Sequence, residues 1–221
     1  MRPMYLDFDP ANVDPDGICE NQTTAGAADL VLNGALCDLG TAARFDIADA
    51  GYSSDCAGVR IAIDSAGDIN TVVFTVTGKD ADGKATTETI TGVTTTAIEG
   101  TTYWSQITSI AADAEVTSNV FVGPVDEVVS KTIPLDIYLP YPPTIQTIVT
   151  GTINYDIEVT NNDITTNTGQ ASFTWVNEGN FTGKTTAVYD DLALPGYRAM
   201  RVVINSYTNT AELQVNATFP Y

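Results

Sequence analysis

The sequence predicts an all-β fold, divided into two β-sandwich-like domains that follow an extended acidic N-terminal arm. Threonine makes up roughly one residue in seven, and valine and isoleucine are common, a composition that suits pleated, half-buried strands. Short stretches alternate between apolar and polar residues and are separated by glycine, asparagine and aspartate turns. Helical periodicity is rare, and its best candidate, residues 26–32, fits the entry to a strand equally well.

We expect three consecutive segments along the chain: an arm over residues 1–20, a first domain over 21–125 and a second over 126–221. Gly123 and Pro124 break the apolar alternation ahead of an acidic stretch, which favours a domain boundary near this point. The arm is rich in acidic residues and prolines, namely Asp7, Asp9, Pro10, Asp14, Pro15 and Asp16.

The clearest hairpin of the first domain joins residues 71–77 to residues 85–91. Its turn contains Asp80, Asp82 and Gly83, and Gly83 supplies the positive φ that such turns demand. Further strands are predicted near residues 30–36, 43–47, 59–63, 103–110 and 119–122.

In the second domain, residues 153–159 alternate cleanly and predict a strand with one buried face and one wet face. Residues 173–175 start another strand. Residues 201–205 and 212–219 resemble a closing hairpin. The proline cluster at residues 140–143 cannot lie in a central strand, so it indicates a loop or a sheet edge.

Charge and composition exclude several functional classes. Nine Lys and Arg face twenty-eight Asp and Glu, a net charge of −19, so free DNA or RNA is not an expected partner because its binding rests on neutralising phosphates. Histidine is absent, which removes histidine-based acid–base catalysis and metal ligation. No G-x-S-x-G motif is present. We therefore expect no enzyme and no cofactor.

No metal site is expected either. The aspartates of the arm and of the Asp80–Gly83 turn could offer oxygen ligands to calcium, but neither segment has the spacing of an EF-hand loop. Cys19, Cys37 and Cys56 match neither a disulfide framework nor a zinc motif. Two alternatives stay open for them: three buried free thiols in a reducing cytoplasm, or one disulfide with a spare thiol.

Two further features bear on location and contacts. No apolar run approaches the roughly 18–20 residues of a membrane helix, and the first residues lack the apolar core of a secretory signal. Tyr138, Tyr141, Pro142 and Pro143 could form an apolar contact patch for a partner, or they could pack at a domain junction.

Several segments, in this order along the chain, resemble a group of tailed-bacteriophage structural proteins. They cover residues 16–23, 30–36, 73–83, 88–92, 103–110, 119–123, 133–138, 150–155 and 197–206. The resemblance implies a virion component and carries no catalytic residues. The resemblance assigns no role to Cys19, Cys37 or Cys56.

The resemblance favours a capsid decoration, or cement, protein that binds and stabilises the outer head surface. Its partners would be the major capsid protein or neighbouring virion proteins, and it would assemble in the host cytoplasm as a homo-oligomer, most simply a trimer. One alternative is a head–tail completion or tail structural protein of the same particle. An alternative of another class is an adhesin or carbohydrate-binding module, which aromatic platforms and calcium sites would support, but neither is evident in the sequence.

Overall fold

A computed structural model describes residues 3–40, 42–138, 141–166, 168–192 and 196–219. It confirms the all-β class: the described residues form eighteen strands and two single-turn 3-10 helices, at Gln170–Ser172 and Gly179–Phe181. The strands are β1 Met4–Phe8, β2 Cys19–Thr24, β3 Ala28–Asp29, β4 Cys37–Asp38, β5 Arg44–Asp46, β6 Gly58–Ser65, β7 Val73–Asp80, β8 Ala85–Thr91, β9 Ile98–Glu99, β10 Trp104–Ala112, β11 Val116–Val129, β12 Ile133–Pro134, β13 Thr144–Thr150, β14 Ile153–Thr160, β15 Val176–Asn177, β16 Tyr189–Asp191, β17 Ala199–Tyr207 and β18 Glu212–Thr218.

The chain divides into two compact units, and both are assembled from separate stretches. The unit that we call central comprises Val13–Gly51 and Gly58–Val125. The unit that we call terminal comprises Met1–Asn12, Tyr52–Ala57 and Asp126–Tyr221. The chain passes from one to the other between residues 125 and 126, where we expected a division, but the units are not consecutive along the sequence.

The central unit is built around β6, β7 and β10, whose apolar residues are buried on one side of each strand. β7 pairs with β10 from Asp80 opposite Trp104 to Phe74 opposite Ala112, with two register shifts. Gly78 allows the close approach there, because a Cβ atom at this position would lie 2.0 Å from the Gln106 carbonyl oxygen. The other edge of β7 pairs with β8 in an unbroken register from Val73 opposite Thr91 to Lys79 opposite Ala85.

The pair Gly123-Pro124 does not interrupt its strand. β11 continues through both residues, pairing with β2 at its start and with β17 at Val128 and Val129. A Cβ atom at Gly123 would lie 2.1 Å from the Asp14 carbonyl oxygen. The glycine thus permits a close backbone contact rather than a break in the strand.

The terminal unit is a β-sandwich. One layer is the four-stranded sheet β1-β18-β13-β16, and the other contains β15, β14, β17, the end of β11, and β12 beside β17. The layers meet where the Thr147 hydroxyl of β13 and the Tyr155 hydroxyl of β14 lie 2.6 Å apart and buried. The inward side chains of the four-stranded sheet are fully or almost fully buried: Phe8, Ile145, Leu213, Val215 and Ala217.

The first residues form a sheet edge and not the extended arm that the sequence predicts. β1 pairs with β18 over five residues, from Met4 opposite Ala217 to Phe8 opposite Leu213, because Phe8 can then be buried. The other edge of this strand is covered by residues 53–55. The Asp7 amide donates to the Asp55 carboxylate at 2.8 Å, and the Asp9 amide to the Ser53 hydroxyl at 3.0 Å.

The expected closing hairpin is also wrong, since its two strands lie in different sheets. β17 pairs with β14, whereas β18 pairs with β1 and β13. The burial patterns explain the difference: six consecutive residues at the start of β17 are buried, while β18 buries every second residue. β17 therefore suits a strand covered on both faces, and β18 suits a strand with one face toward solvent.

Candidate functional site

The hairpin turn between β7 and β8 contains Asp80, Asp82 and Gly83. Gly83 has a φ of +75°. The buried Asp80 carboxylate accepts hydrogen bonds from the amides of Asp82 at 3.0 Å and Lys84 at 2.9 Å. This carboxylate therefore caps backbone amides inside the turn, which is a structural role.

Within the described ranges, no group of three or more histidine, cysteine, aspartate or glutamate side chains is arranged to hold a metal ion. Asp7 and Asp9 of the predicted arm have backbone contacts with the segment at residues 53–55. Asp14 and Asp16 lie near one another in the central unit, where burial and the neighbouring Asp16 raise the pKa of the Asp14 carboxyl.

The predicted contact residues lie in the connection between β12 and β13. Tyr138 is 87% exposed and Tyr141 is 66% exposed. Pro142 is half-buried and Pro143 is buried, and the Pro143 carbonyl accepts a hydrogen bond from the Leu192 amide at 3.0 Å. Both tyrosine side chains are thus exposed to solvent, whereas Pro143 is buried and held in place by the hydrogen bond from Leu192. Residues 139 and 140 of the proline cluster lie outside the described residues.

All three cysteines are free thiols. Cys19 and Cys56 are buried, and the half-buried Cys37 thiol donates to the Ile18 carbonyl at 3.3 Å. Burial raises the pKa of Cys56 to about 12 and that of Cys37 to about 11. Because the thiolate is the reactive form, these side chains are packing residues of low reactivity.

A buried polar cluster in the terminal unit was not predicted from the sequence. The Arg201 guanidinium of β17 contacts the Glu158 carboxylate of β14 at 2.6 Å, donates to the Gln170 side chain at 2.8 Å, and lies 4.5 Å from the centre of the Trp175 ring. Gln170 donates in turn to the Ser130 carbonyl at 3.1 Å. The sequence offered one signal for this cluster: the charged Arg201 directly precedes the apolar residues 202–204.

A cleft with a volume of about 430 Å³ opens beside this cluster, at the end of β14. Its lining is made of aliphatic, hydroxyl and amide side chains with one tyrosine, and it holds no carboxylate, amine or thiol. Such a lining offers hydrogen bonds, and among these lining residues the Tyr197 hydroxyl alone is of a type that can act as a general acid or base. The lining residues are Val159, Thr160, Asn161, Asn162, Thr174, Val176 and Tyr197.

The outer face of the four-stranded sheet carries a second group of exposed aromatic side chains. Tyr5 of β1 is 54% exposed and Tyr189 of β16 is 75% exposed. The register places Tyr5 opposite Asn216, Asn216 opposite Gln146, and Gln146 opposite Tyr189. Two tyrosines at opposite edges of the sheet are thus joined by a row of two amide side chains. We call this the tyrosine–amide row.

No protein-family model matches the chain, and no curated protein matches it. Among solved structures, the N-terminal CBM22-1-CBM22-2 tandem domain of Paenibacillus barcinonensis Xyn10C aligns at 11% identity over 96% of this chain and 99% of its own, with a TM-score of 0.24. A chain of broad bean stain virus aligns at 9% identity over 97% of this chain and 87% of its own, with a TM-score of 0.18. TM-scores this low establish no common fold.

In the part of the chain that the structure describes, no helix has the length and apolar character needed to span a membrane.

Proposed function

We propose that this chain is a structural protein of a tailed-bacteriophage particle and decorates the outer surface of the capsid. The observation that carries the proposal is the exposure of Tyr138 and Tyr141, at 87% and 66%, in one connection of the terminal unit. Large exposed aromatic side chains are enriched in protein contacts. The ordered segments that resemble phage structural proteins supply the kind of partner, the major capsid protein.

The acidic charge suits this role. A protein with a net charge of −19 is repelled by nucleic acid, and this charge keeps it dissolved until a matching surface forms. Contacts made by one tyrosine pair are modest. A homotrimer would present three such pairs together, and multivalent attachment then raises the overall affinity without new contacts.

The test is to mix the purified protein with undecorated heads, sediment the heads and measure how much protein they carry. We expect Tyr138→Ala and Tyr141→Ala each to lower the occupancy at a fixed protein concentration. Tyr5→Ala is the matched control, because it removes an exposed tyrosine of β1 instead, and its occupancy should equal that of the wild-type protein.

Location and stabilisation supply a second measurement. A decoration protein should be found at repeated sites of the icosahedral shell, and it should raise the temperature at which heads break, because a ligand of the intact state stabilises that state by mass action. Protein found only at the neck or tail, with the shell bare, would support a head–tail completion or tail role instead.

A further inference from the structure

We infer that the outer face of the four-stranded sheet in the terminal unit binds a neutral polysaccharide chain along the tyrosine–amide row. This surface is separate from the contact proposed for Tyr138 and Tyr141, and it does not depend on attachment to a capsid.

The first argument is the geometry of the row. The four strands that neighbour one another in the sheet, β1, β18, β13 and β16, contribute one residue each. Neighbouring strands lie about 4.8 Å apart, so three spacings put the backbones that carry Tyr5 and Tyr189 about 14 Å apart. The opposite side of the same sheet is packed with the buried residues Ile145, Leu213 and Val215. The row is therefore held on a rigid base, long enough to contact several linked sugar rings.

The second argument is the chemistry of the side chains. A pyranose ring has apolar C–H faces and a rim of hydroxyl groups, so it needs flat apolar contacts beside groups that both donate and accept hydrogen bonds. The tyrosines supply the flat contacts, and the amides of Gln146 and Asn216 both donate and accept. In the described part of the chain, no hydrogen bond to another protein group occupies either amide.

Hydroxyl and amide groups continue on both sides of the row. Thr144 and Thr218 face one another in the next row of the sheet on one side, and Gln214 lies opposite Ile148 in the next row on the other side. Thr144 is already engaged, since its hydroxyl donates to the Asp191 carboxylate at 2.6 Å. A ligand wider than one sugar ring would therefore meet Thr218 on one side of the row and Gln214 on the other.

The acidic side chains around this face favour neutral polysaccharides over anionic ones. The charged side chains that the register places at the margin of this face are the carboxylates of Asp7, Asp191 and Glu212, and none of the residues that it places on the face is a lysine or arginine. An anionic chain, with uronate, sulfate or phosphate groups, would be repelled at short range. The expected ligand is accordingly uncharged.

A protein partner fits this face less well. The core of a protein interface is rich in apolar side chains and poor in charge, whereas the only aliphatic side chain among the residues of these rows is Ile148, which is 43% exposed. A polar row between two aromatic residues favours a hydroxyl-rich ligand.

The experiment screens the full chain against an array of neutral oligosaccharides built from glucose, xylose, mannose, galactose or N-acetylglucosamine, with heparin oligosaccharides as the anionic comparison. Bound probes are then titrated by calorimetry. We expect at least one neutral probe to bind and heparin not to bind. Tyr5→Ala and Tyr189→Ala should each weaken the affinity about tenfold, and Tyr189→Phe should retain most of it.

Tyr138→Ala is the matched control, because it removes an exposed tyrosine outside the sheet and should leave the affinity unchanged. The proposal is wrong if no neutral probe binds, if heparin binds as well as a neutral probe, or if binding survives the Tyr5→Ala/Tyr189→Ala double variant. It is also wrong if that double variant loses capsid occupancy while no sugar binds, since the face is then a protein contact. Loss of capsid binding by Tyr138→Ala alone tests only the proposed decoration role.

Discussion

Gly83 shows how a single backbone angle fixes the β7–β8 hairpin. Its φ is +75°, and a Cβ atom there would have no heavy atom within 4 Å. A Cβ atom at this position therefore meets no neighbouring residue. The cost of a side chain lies in the positive φ itself, which a β-branched residue adopts poorly. The sequence suffices to predict this turn because the glycine and the flanking alternation are local features.

We expect Gly83→Val to lower the free energy of unfolding by about 1–2 kcal/mol, the cost of a left-handed conformation for a residue with a side chain. Urea denaturation measures it. Gly26→Val is the control, because Gly26 also has open space around its Cβ position but no positive φ, and its effect should stay within about 0.5 kcal/mol. Equal effects at the two positions would contradict the assignment of the turn.

The contact between Arg201 and Glu158 shows what the sequence could not predict. Neither charge belongs to a recognisable motif, and their meeting requires β14 and β17 to be neighbours in the sheet. We expect Glu158→Ala to cost about 3 kcal/mol, because it removes the Glu158 carboxylate from the buried Arg201 charge. Thermal unfolding measures the loss.

The control for this prediction is Arg198→Ala. Arg198 lies 3.8 Å from Asp163, and both side chains are about half exposed, so their pairing contributes less than about 1 kcal/mol. If the two variants are equally stable, the buried cluster does not stabilise the terminal unit.

Burial of the thiols makes stability depend on pH on the alkaline side. The pKa of Cys56 is raised from its ordinary value of 9.0 to about 12, so the unfolded chain loses this proton first. Its contribution is complete below pH 9 and is lost as the pH rises toward the folded value.

Between pH 8 and pH 10 this thiol alone should cost about 1.4 kcal/mol of stability. The free energy of unfolding measured at the two pH values gives the slope, and Cys56→Ala should flatten it by that amount. An unchanged slope in the variant would mean that Cys56 is accessible to water in the folded protein.

At the scale of elements, the sequence predicts strands with alternating faces better than it predicts their partners. β18 follows the expected alternation, but the predicted wet face of β14 is wrong, because Asp156 and Thr160 are buried and Glu158 is half-buried. β17 and β18 are not paired with one another. Trp175 is expected to start a strand, but it lies directly before β15, which begins at Val176. Its indole N–H donates to the Gln170 carbonyl at 3.0 Å. Pairing depends on contacts between residues far apart in sequence, and no local pattern encodes those contacts.

β18 should be indispensable to the terminal unit. It lies between β1 and β13, and its inward residues Leu213 and Val215 each contribute roughly 1.5–3 kcal/mol through burial. Truncation after Asn209 should give an aggregating or protease-sensitive product, as measured by limited proteolysis. Thr218→Ala, on the exposed side of the strand, should leave protease resistance intact. A soluble and resistant truncated protein would contradict this role.

At the scale of the whole molecule, the interleaving of the two units predicts which fragments fold. A fragment of residues 126–221 lacks β1 and the segment Tyr52–Ala57, and both belong to the terminal unit. We expect it to give no cooperative unfolding transition. A fragment of residues 13–125 holds every residue of the central unit and should unfold cooperatively. The two fragments are compared by circular dichroism during heating, and a cooperative transition in the 126–221 fragment would overturn the prediction.

The antiparallel pairing of β1 with β18 also determines how the terminal unit responds to mechanical load. Met4 faces Ala217 at one end of the ladder, and Phe8 faces Leu213 at the other. A force that pulls Met4 away from Ala217 strains one rung at a time, so the strand peels open as a zipper does and never bears load on all rungs together. The hydrogen bonds from Asp7 and Asp9 to residues 53–55 lie toward the far end of β1. The separation of β1 from β18 therefore reaches these hydrogen bonds last, and they resist complete detachment of the strand.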